Sequence, residues 1–446
     1  MTGKTTIAAL LAATALTAAT PAQAQDQDAA AIAAELTAMR AKIDSLEAKL
    51  KAMETAQATA APSWKGAPLL ADKDSGWSFK PRGRIQYDAG YVESPNGVTD
   101  PGLGFSNELR RARLGVEGTM PGGFGYKFEA DFADNEIEVA DAILTYQASP
   151  RIGLTIGQHN NFQSLEELTS SRFSSFIERA AFTDAFNFER RVGISASYAA
   201  GPLIASAGIF TDNISDLANS GDGTGLGDEN ETLSADARLV FAPKLGRTQL
   251  HLGGSAHRRD FQDVADRGIT TRYRQRPFIH SSNSRFLTTP PLRVARESDY
   301  GLEAAAISGP FHAAGEVHWL NANTIEAGLS PTLFGGYAEL GYYFTGETRG
   351  YKGGQFDRTK VLRPLGNGGA GAFQLNLRYD HLDLIDNGVI GGKQAGYQAS
   401  LIWIPQDYVR FLINYGHLRY QDAAISAAGD RDYGIDVIGA RAQIDF

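Results

Sequence analysis

In "FKPRGRIQYDAGY", Phe79 to Tyr91, the residues Phe79, Ile85, Tyr87, Ala89 and Tyr91 alternate with Lys80, Arg82, Arg84, Gln86 and Asp88. "YKFEADF" repeats the rule, with Tyr126, Phe128, Ala130 and Phe132 against Lys127, Glu129 and Asp131. "FQLNLRY" and "VRFLINY" do so again near the C-terminus. Successive side chains of a strand point to opposite faces, so a period of two predicts strands with one apolar and one polar face. About sixteen such segments follow one another from Trp77 on, each about ten residues long. Tight turns such as "TMPGGF", "ASPRI" and "WIPQDY" separate some of them. Long polar loops separate others: Asn161 to Arg190, Asn213 to Glu231, Arg258 to Glu297 and Glu347 to Gly369. One end of the sheet is therefore expected to be trimmed and the other elaborated.

A soluble sheet would need a second layer over its apolar face. Here the outward positions carry aromatics at strand ends, Tyr342, Phe344, Trp403 and Tyr408, as at the interfaces of a membrane barrel. The last segment, "IDVIGARAQIDF", puts Ile438, Ala440, Ala442, Ile444 and Phe446 outward and Arg441, Gln443 and Asp445 inward. Its free edge must pair with the first strand, because hydrocarbon tolerates no open edge. No run of 18 apolar residues follows the N-terminal segment, so helical spans are excluded. The fold class expected is all-β: a transmembrane antiparallel β-barrel of about 16 strands, preceded by a short N-terminal coiled-coil helix.

The N-terminal region obeys a different period. Ile32, Leu36, Met39, Ile43, Leu46, Leu50 and Met53 recur at spacings of four and three. That is a heptad with Leu36, Ile43 and Leu50 at a and the others at d, which implies oligomerisation without fixing the number of strands; the alternative is a single amphipathic surface helix. Before it, Lys4, an apolar stretch and "PAQAQ" match a cleaved secretory signal, with cleavage expected after Ala24. The organisation expected is a signal peptide over residues 1–24, a periplasmic coiled-coil segment over 25–57, a linker over 58–76 and the barrel over 77–446.

Composition narrows the chemistry. The chain has no cysteine, which excludes disulfides and thiolate ligands. Its formal net charge is −9, yet "TRYRQRP" sets Arg272, Arg274 and Arg276 on alternate positions, facing one side of an extended segment. Around them, from Arg258 to Arg296, nine arginines stand against Asp260, Asp263 and Asp266, and Arg285 is one of the nine. Such a local field draws anions whatever the net charge. Two readings stand: an arginine ladder lining a pore, or an external loop that binds anionic lipopolysaccharide or is solvated.

"FKPRGRIQ", "LRRARLGVEGT", "YKFEADFA", "SLEELTSSRFSSFIERA", "TRYRQRP" and "YYFTGETRGYKGGQFDR" together resemble the phosphate-selective porins of the O and P type, over about Trp77 to Phe446. The resemblance implies a trimeric barrel of the Gram-negative outer membrane. It implies that "TRYRQRP" folds toward the pore, with Arg84, Arg110 and Arg111 on the barrel wall, and that Phe446 is the aromatic ending read by barrel-insertion machinery. Lys127 and Arg172 join the pore-lining set. Glu167 stands where phosphate-selective members carry a lysine at the constriction, and Ala140 where they carry an acid. A carboxylate there repels anions unless a neighbour such as Arg172 or Arg191 neutralises it.

The expected partners are a second and third copy of the chain, outer-membrane lipid and lipopolysaccharide, and phosphate-like anions; no nucleic acid, cofactor or metal is expected. Asp222, Asp228 and Glu229 sit in "SGDGTGLGDENE", whose spacing departs from a calcium loop and reads as a flexible external loop. His312 and His318 share a face with Glu316 and read as lumen lining. No nucleophile or zinc-protease motif appears, so an enzyme is not expected. The function read from the sequence is an anion-selective diffusion channel for phosphate or polyphosphate-like anions. The alternatives are a general porin for other organic solutes, or a structural barrel tethering the envelope.

Overall fold

The computed structural model describes residues 22–60, 63–72, 74–133, 137–216, 232–261 and 270–446. Two units emerge, divided between Ala61 and Pro62. The first contains one long helix, α1, Ala22–Ala60. The expected signal peptide falls mostly outside the described residues, as do Asp222, Asp228 and Glu229.

The second unit is a closed barrel of sixteen antiparallel strands. They are β1 Trp77–Val92, β2 Gly104–Met120, β3 Phe124–Asp131, β4 Glu138–Ser149, β5 Ile152–Asn160, β6 Arg190–Ala200, β7 Leu203–Phe210 and β8 Leu233–Phe241. The other eight are β9 Thr248–Asp260, β10 Val294–Ser308, β11 Phe311–Thr324, β12 Thr332–Tyr343, β13 Ala372–Asp386, β14 Val389–Gln406, β15 Val409–Gln421 and β16 Tyr433–Asp445. β16 pairs with β1, Ala440 opposite Ala89 and Ile444 opposite Ile85, so the last edge is consumed as hydrocarbon requires. Within the span assigned from sequence to a linker, Ser63–Lys65 and Ala67–Asp72 form short strands, and the second adds to the start of β1, Leu70 opposite Phe79.

Burial runs opposite to that of a soluble sheet. Leu114, Ile194, Leu239, Leu302, Leu340 and Ile413 lie outward and exposed, while Asp88, Glu303, Glu316, Glu339, Asp380 and Arg441 face inward and are buried. At the short-turn end, aromatics ring the outer wall and pair across strands: Phe124 with Tyr146 at 4.9 Å, Phe311 with Tyr342 at 4.5 Å and Trp403 with Phe411 at 5.4 Å between centroids. Tyr146, Tyr342 and Trp403, apolar in body and polar at one edge, suit a membrane boundary.

Loop placement departs from the sequence reading in one respect. The segment between Tyr343 and Ala372 belongs to the end with the tight turns, not to the elaborated end. The strand count requires it, and Leu365 N–H donates to the Pro405 carbonyl at 2.9 Å while Arg358 bonds Asp445 and the Asp407 carbonyl. Length and polarity marked it as a loop, but only strand parity tells which end a loop occupies. Conversely, β13 and β14 meet at the elaborated end in a tight Asn387-Gly388 turn, both residues at positive φ, the geometry that twists with its strands.

The inward polar faces are buried where two loops fold into the lumen. The segments 161–189 and 270–293 carry Leu165, Phe176, Phe182, Tyr273, Ile279, Phe286 and Leu287, all nearly fully buried. Many of them pack against wall residues Leu320, Leu333, Leu382, Leu418 and Ile435 in one cluster. This packing leans on β10 to β16 and leaves the passage along β1 to β8.

Candidate functional site

The loop 161–189 crosses the lumen because the far wall holds its backbone. Glu316 on β11 accepts from the Leu165 and Glu166 N–H groups at 2.8 and 2.7 Å, at the start of the one-turn helix α2, Leu165–Leu168. Asp380 on β13 accepts from Ala181 N–H at 3.0 Å, at the start of α3, Ala181–Ala185. Carboxylates at the orphan N–H groups of a helix start are the favourable arrangement. The same wall adds two arginines: Arg410 on β15 donates to the Ser174 carbonyl at 2.9 Å, and Arg378 on β13 pairs with Glu166 at 2.7 Å.

Among the described residues, two chambers open inside the barrel. The upper one, toward the long-loop end, has about 320 Å³ and is lined by Arg110, Glu138, Glu178, Asp184, Arg276 and His280 among others. The lower has about 340 Å³; its basic side chains Arg82, Arg84, Arg111, Lys127, Arg172 and Arg238 face the carboxylates Glu129 and Asp141. Arg113, Glu167, Arg179 and Arg190 line both chambers and so form the neck between them.

At the neck Glu167 pairs with Arg179 at 3.2 Å. It pairs with neither Arg172 nor Arg191, the partners suggested by sequence. Arg172 lies 3.6 Å from Asp445 and stacks over Phe173 at 4.9 Å, and Arg191 pairs with Glu189 at 3.2 Å. Arg179 wins because the loop turns back on itself, its guanidinium also donating to the carbonyls of Glu166, Glu167 and Thr169 at 3.0, 2.9 and 3.1 Å. Burial pushes the Glu167 carboxyl up from its ordinary range, opposed by Arg179. Burial acts on Glu178 in the same sense, yet Arg110 and Arg441 hold it well below the usual carboxylate range, each 3.1 Å away.

The wall residues arrive by recognisable local devices. Gln86 pairs with Arg111 and Tyr87 with Leu109, so Arg110 is the extra residue of a β-bulge. The bulge turns two consecutive arginines into the lumen, where strict alternation would send one to the lipid. Ala140 is the extra residue of a second bulge, between β3 and β4, and lines the upper chamber. Arg84 donates to Ser171 Oγ at 2.6 Å and to Glu129 at 3.2 Å, and Lys127 pairs with Asp141 at 2.5 Å.

"TRYRQRP" keeps its alternation. Tyr273 and Gln275 are buried, Tyr273 donating to Glu297 at 3.0 Å, while Arg272 and Arg274 are exposed and Arg276 half-buried on the opposite side. Among the three, Arg276 reaches the upper chamber, 3.6 Å from Asp184, which also takes Arg285 at 3.1 Å. Burial lowers the Arg285 guanidinium to about 10, with Asp184 opposing. Among the described residues, no carboxylate lies in ion-pair range of Arg272 or Arg274. Sequence reading missed Arg113, Arg179 and Arg190. Arg113 shares the parity of Arg111 and was legible; Arg179 and Arg190 meet the neck only through the path of the loop between β5 and β6.

Comparison with known proteins agrees with this architecture. An uncharacterized protein of Caulobacter vibrioides is 48% identical, covering 99% of this chain and 96% of its own. Porin O of Pseudomonas aeruginosa is 27% identical, covering 79% of this chain and 85% of its own. The anion-selective porin from Comamonas acidovorans superposes with a TM-score of 0.51 at 13% identity, covering 83% of this chain and all of that one, a likeness of fold. A closed sixteen-stranded wall, a loop drawn across its lumen and a match of residues 79–446 to the family Phosphate-selective porin O and P make this chain a member of that family, an outer-membrane porin.

Proposed function

We propose that this porin conducts anions preferentially, phosphate and polyphosphate-like solutes among them, and that Arg272, Arg274 and Arg276 hand them inward to the neck. The observation that carries this reading is the lining of the neck and lower chamber together: Arg82, Arg84, Arg111, Arg113, Lys127, Arg172, Arg179, Arg190 and Arg238 stand against Glu129, Asp141 and Glu167, although Arg113 pairs with Asp131, Arg190 with Asp141 and Arg179 with Glu167. The excess of basic over acidic side chains in this lining favours anions. Guanidinium groups suit the task, being always charged, weakly hydrated and matched to phosphate oxygens. Several shallow sites in series let an ion enter and leave, as conduction demands. In this reading the signal is removed on export, the barrel works as a homotrimer in lipid and lipopolysaccharide, Phe446 guides insertion, and α1 is a coiled coil. Arg84, Arg110, Arg111, Lys127, Arg172 and Arg285 shape the field along the route.

The test is the zero-current potential of the purified protein in a planar bilayer under a salt gradient, with phosphate titrated against chloride current. Anion preference and saturable block by phosphate are expected. Loss of the block when Arg272, Arg274 and Arg276 are changed to alanine assigns them the ladder role. Absence of preference and of block points to a general porin governed by Glu167.

A further inference from the structure

The two chambers offer a solute different charges. The lower one is basic in excess. In the upper one every guanidinium group of the lining already lies within 3.6 Å of a carboxylate. Arg110 and Arg179 hold Glu178 and Glu167, Arg113 and Arg190 hold Asp131 and Asp141, and Arg276 faces Asp184. Two groups of this lining keep bonding capacity to spare. Arg276 shares Asp184 with Arg285, so one carboxylate answers two guanidinium groups, and the Arg276 Nε–H is buried without an acceptor. Glu138 is the opposite case. It stands directly across from Asp131 on the paired strands β3 and β4, and residues so opposed share a face. Asp131 bonds Arg113 inside the barrel, so Glu138 points to the lumen as well. Its side chain is exposed, and among the described residues no cation lies in ion-pair range of its carboxylate.

One pole for an anion and one for a cation therefore face a single cavity of about 320 Å³. A bare phosphate gains at Arg276 and is repelled at Glu138, whereas a solute with an ammonium group beside its phosphate satisfies both. We propose that the upper chamber selects small anions that also carry an amine, with Arg276 taking the acid group and Glu138 the ammonium. Aminoalkyl phosphates and phosphonates are the class that fits. The proposal rests on the anion-channel reading above and adds a second charge to the solute. Glu138 sets the preference among anions, because it repels those without an amine while attracting those with one.

Ethyl phosphate and 2-aminoethyl phosphate differ by one amine and serve as the pair of probes. Each is titrated against the chloride current of the purified full-length protein in planar bilayers. With the wild type, the amino compound is expected to block at the lower concentration. Glu138→Gln alters an exposed side chain, so the barrel should fold as before, which a gel shift checks. In that variant ethyl phosphate should block about fourfold better, the factor that one unit charge makes at about 5 Å in bulk-like water, and the amino compound should not. Arg276→Gln should weaken both probes alike. An equal response of the two probes to Glu138→Gln, or none, overturns the proposal. Block of the wild type by ethyl phosphate with no advantage for the amino compound also sinks the amine pole and leaves the anion channel standing. Block by neither probe sinks the proposal too, and takes the anion channel with it where the zero-current potential shows no anion preference.

Discussion

Glu167→Gln removes the one carboxylate of the neck while keeping its shape. The loop should hold, because the Ser164 side chain caps the Glu167 backbone N–H rather than its carboxylate. Arg179 also keeps three carbonyl partners when its carboxylate partner is lost. Its charge then stands uncompensated beside Arg113 and Arg190. For an anion passing about 5 Å from position 167, deleting a unit negative charge lowers its energy by about 0.8 kcal/mol in bulk-like water, and by about 3 kcal/mol at an effective dielectric near 20. The smaller figure corresponds to about a fourfold change in permeability. Reversal potentials in planar bilayers under a potassium chloride gradient should therefore show the anion-to-cation ratio rising at least about fourfold. An unchanged or lower ratio would refute the placement of Glu167 on the ion path.

Further expectations rest on other parts of the barrel. Because the Glu167 carboxyl is raised, it becomes neutral on acidification before ordinary carboxylates do; anion selectivity should rise as pH falls through that value, and bilayer recordings of Glu167→Gln should lack the change. Glu316→Gln leaves one acceptor for the Leu165 and Glu166 N–H groups and the Tyr337 hydroxyl, which costs about 1.5–3 kcal/mol. A lower thermal transition and noisier open-channel current should follow. Gly157 has φ 117 and a Cβ there would lie 2.0 Å from the Ala142 carbonyl oxygen, so Gly157→Ala should cost about 1–3 kcal/mol and lower the yield of folded barrel in a gel-shift refolding assay. Wild-type yield would argue that β4 and β5 can part without loss.

The sequence by itself determined the wall and much of its chemistry. A period of two cannot hide: Ile438, Ala440, Ala442 and Ile444 face outward and Arg441, Gln443 and Asp445 inward as alternation requires, since successive strand side chains must diverge. The common face of Arg272, Arg274 and Arg276 followed from the same geometry. Tertiary structure decided the rest. Two bulges broke the alternation and brought Arg110 and Ala140 into the lumen, and no local pattern announces an extra residue in one strand. The pairing of Glu167 with Arg179 depends on how the loop 161–189 returns across the barrel, fixed by Glu316 and Asp380 on strands more than a hundred residues away in the chain. Contacts of that separation carry no periodic signal, so the wall could be read residue by residue while the neck existed only once the barrel had closed around it.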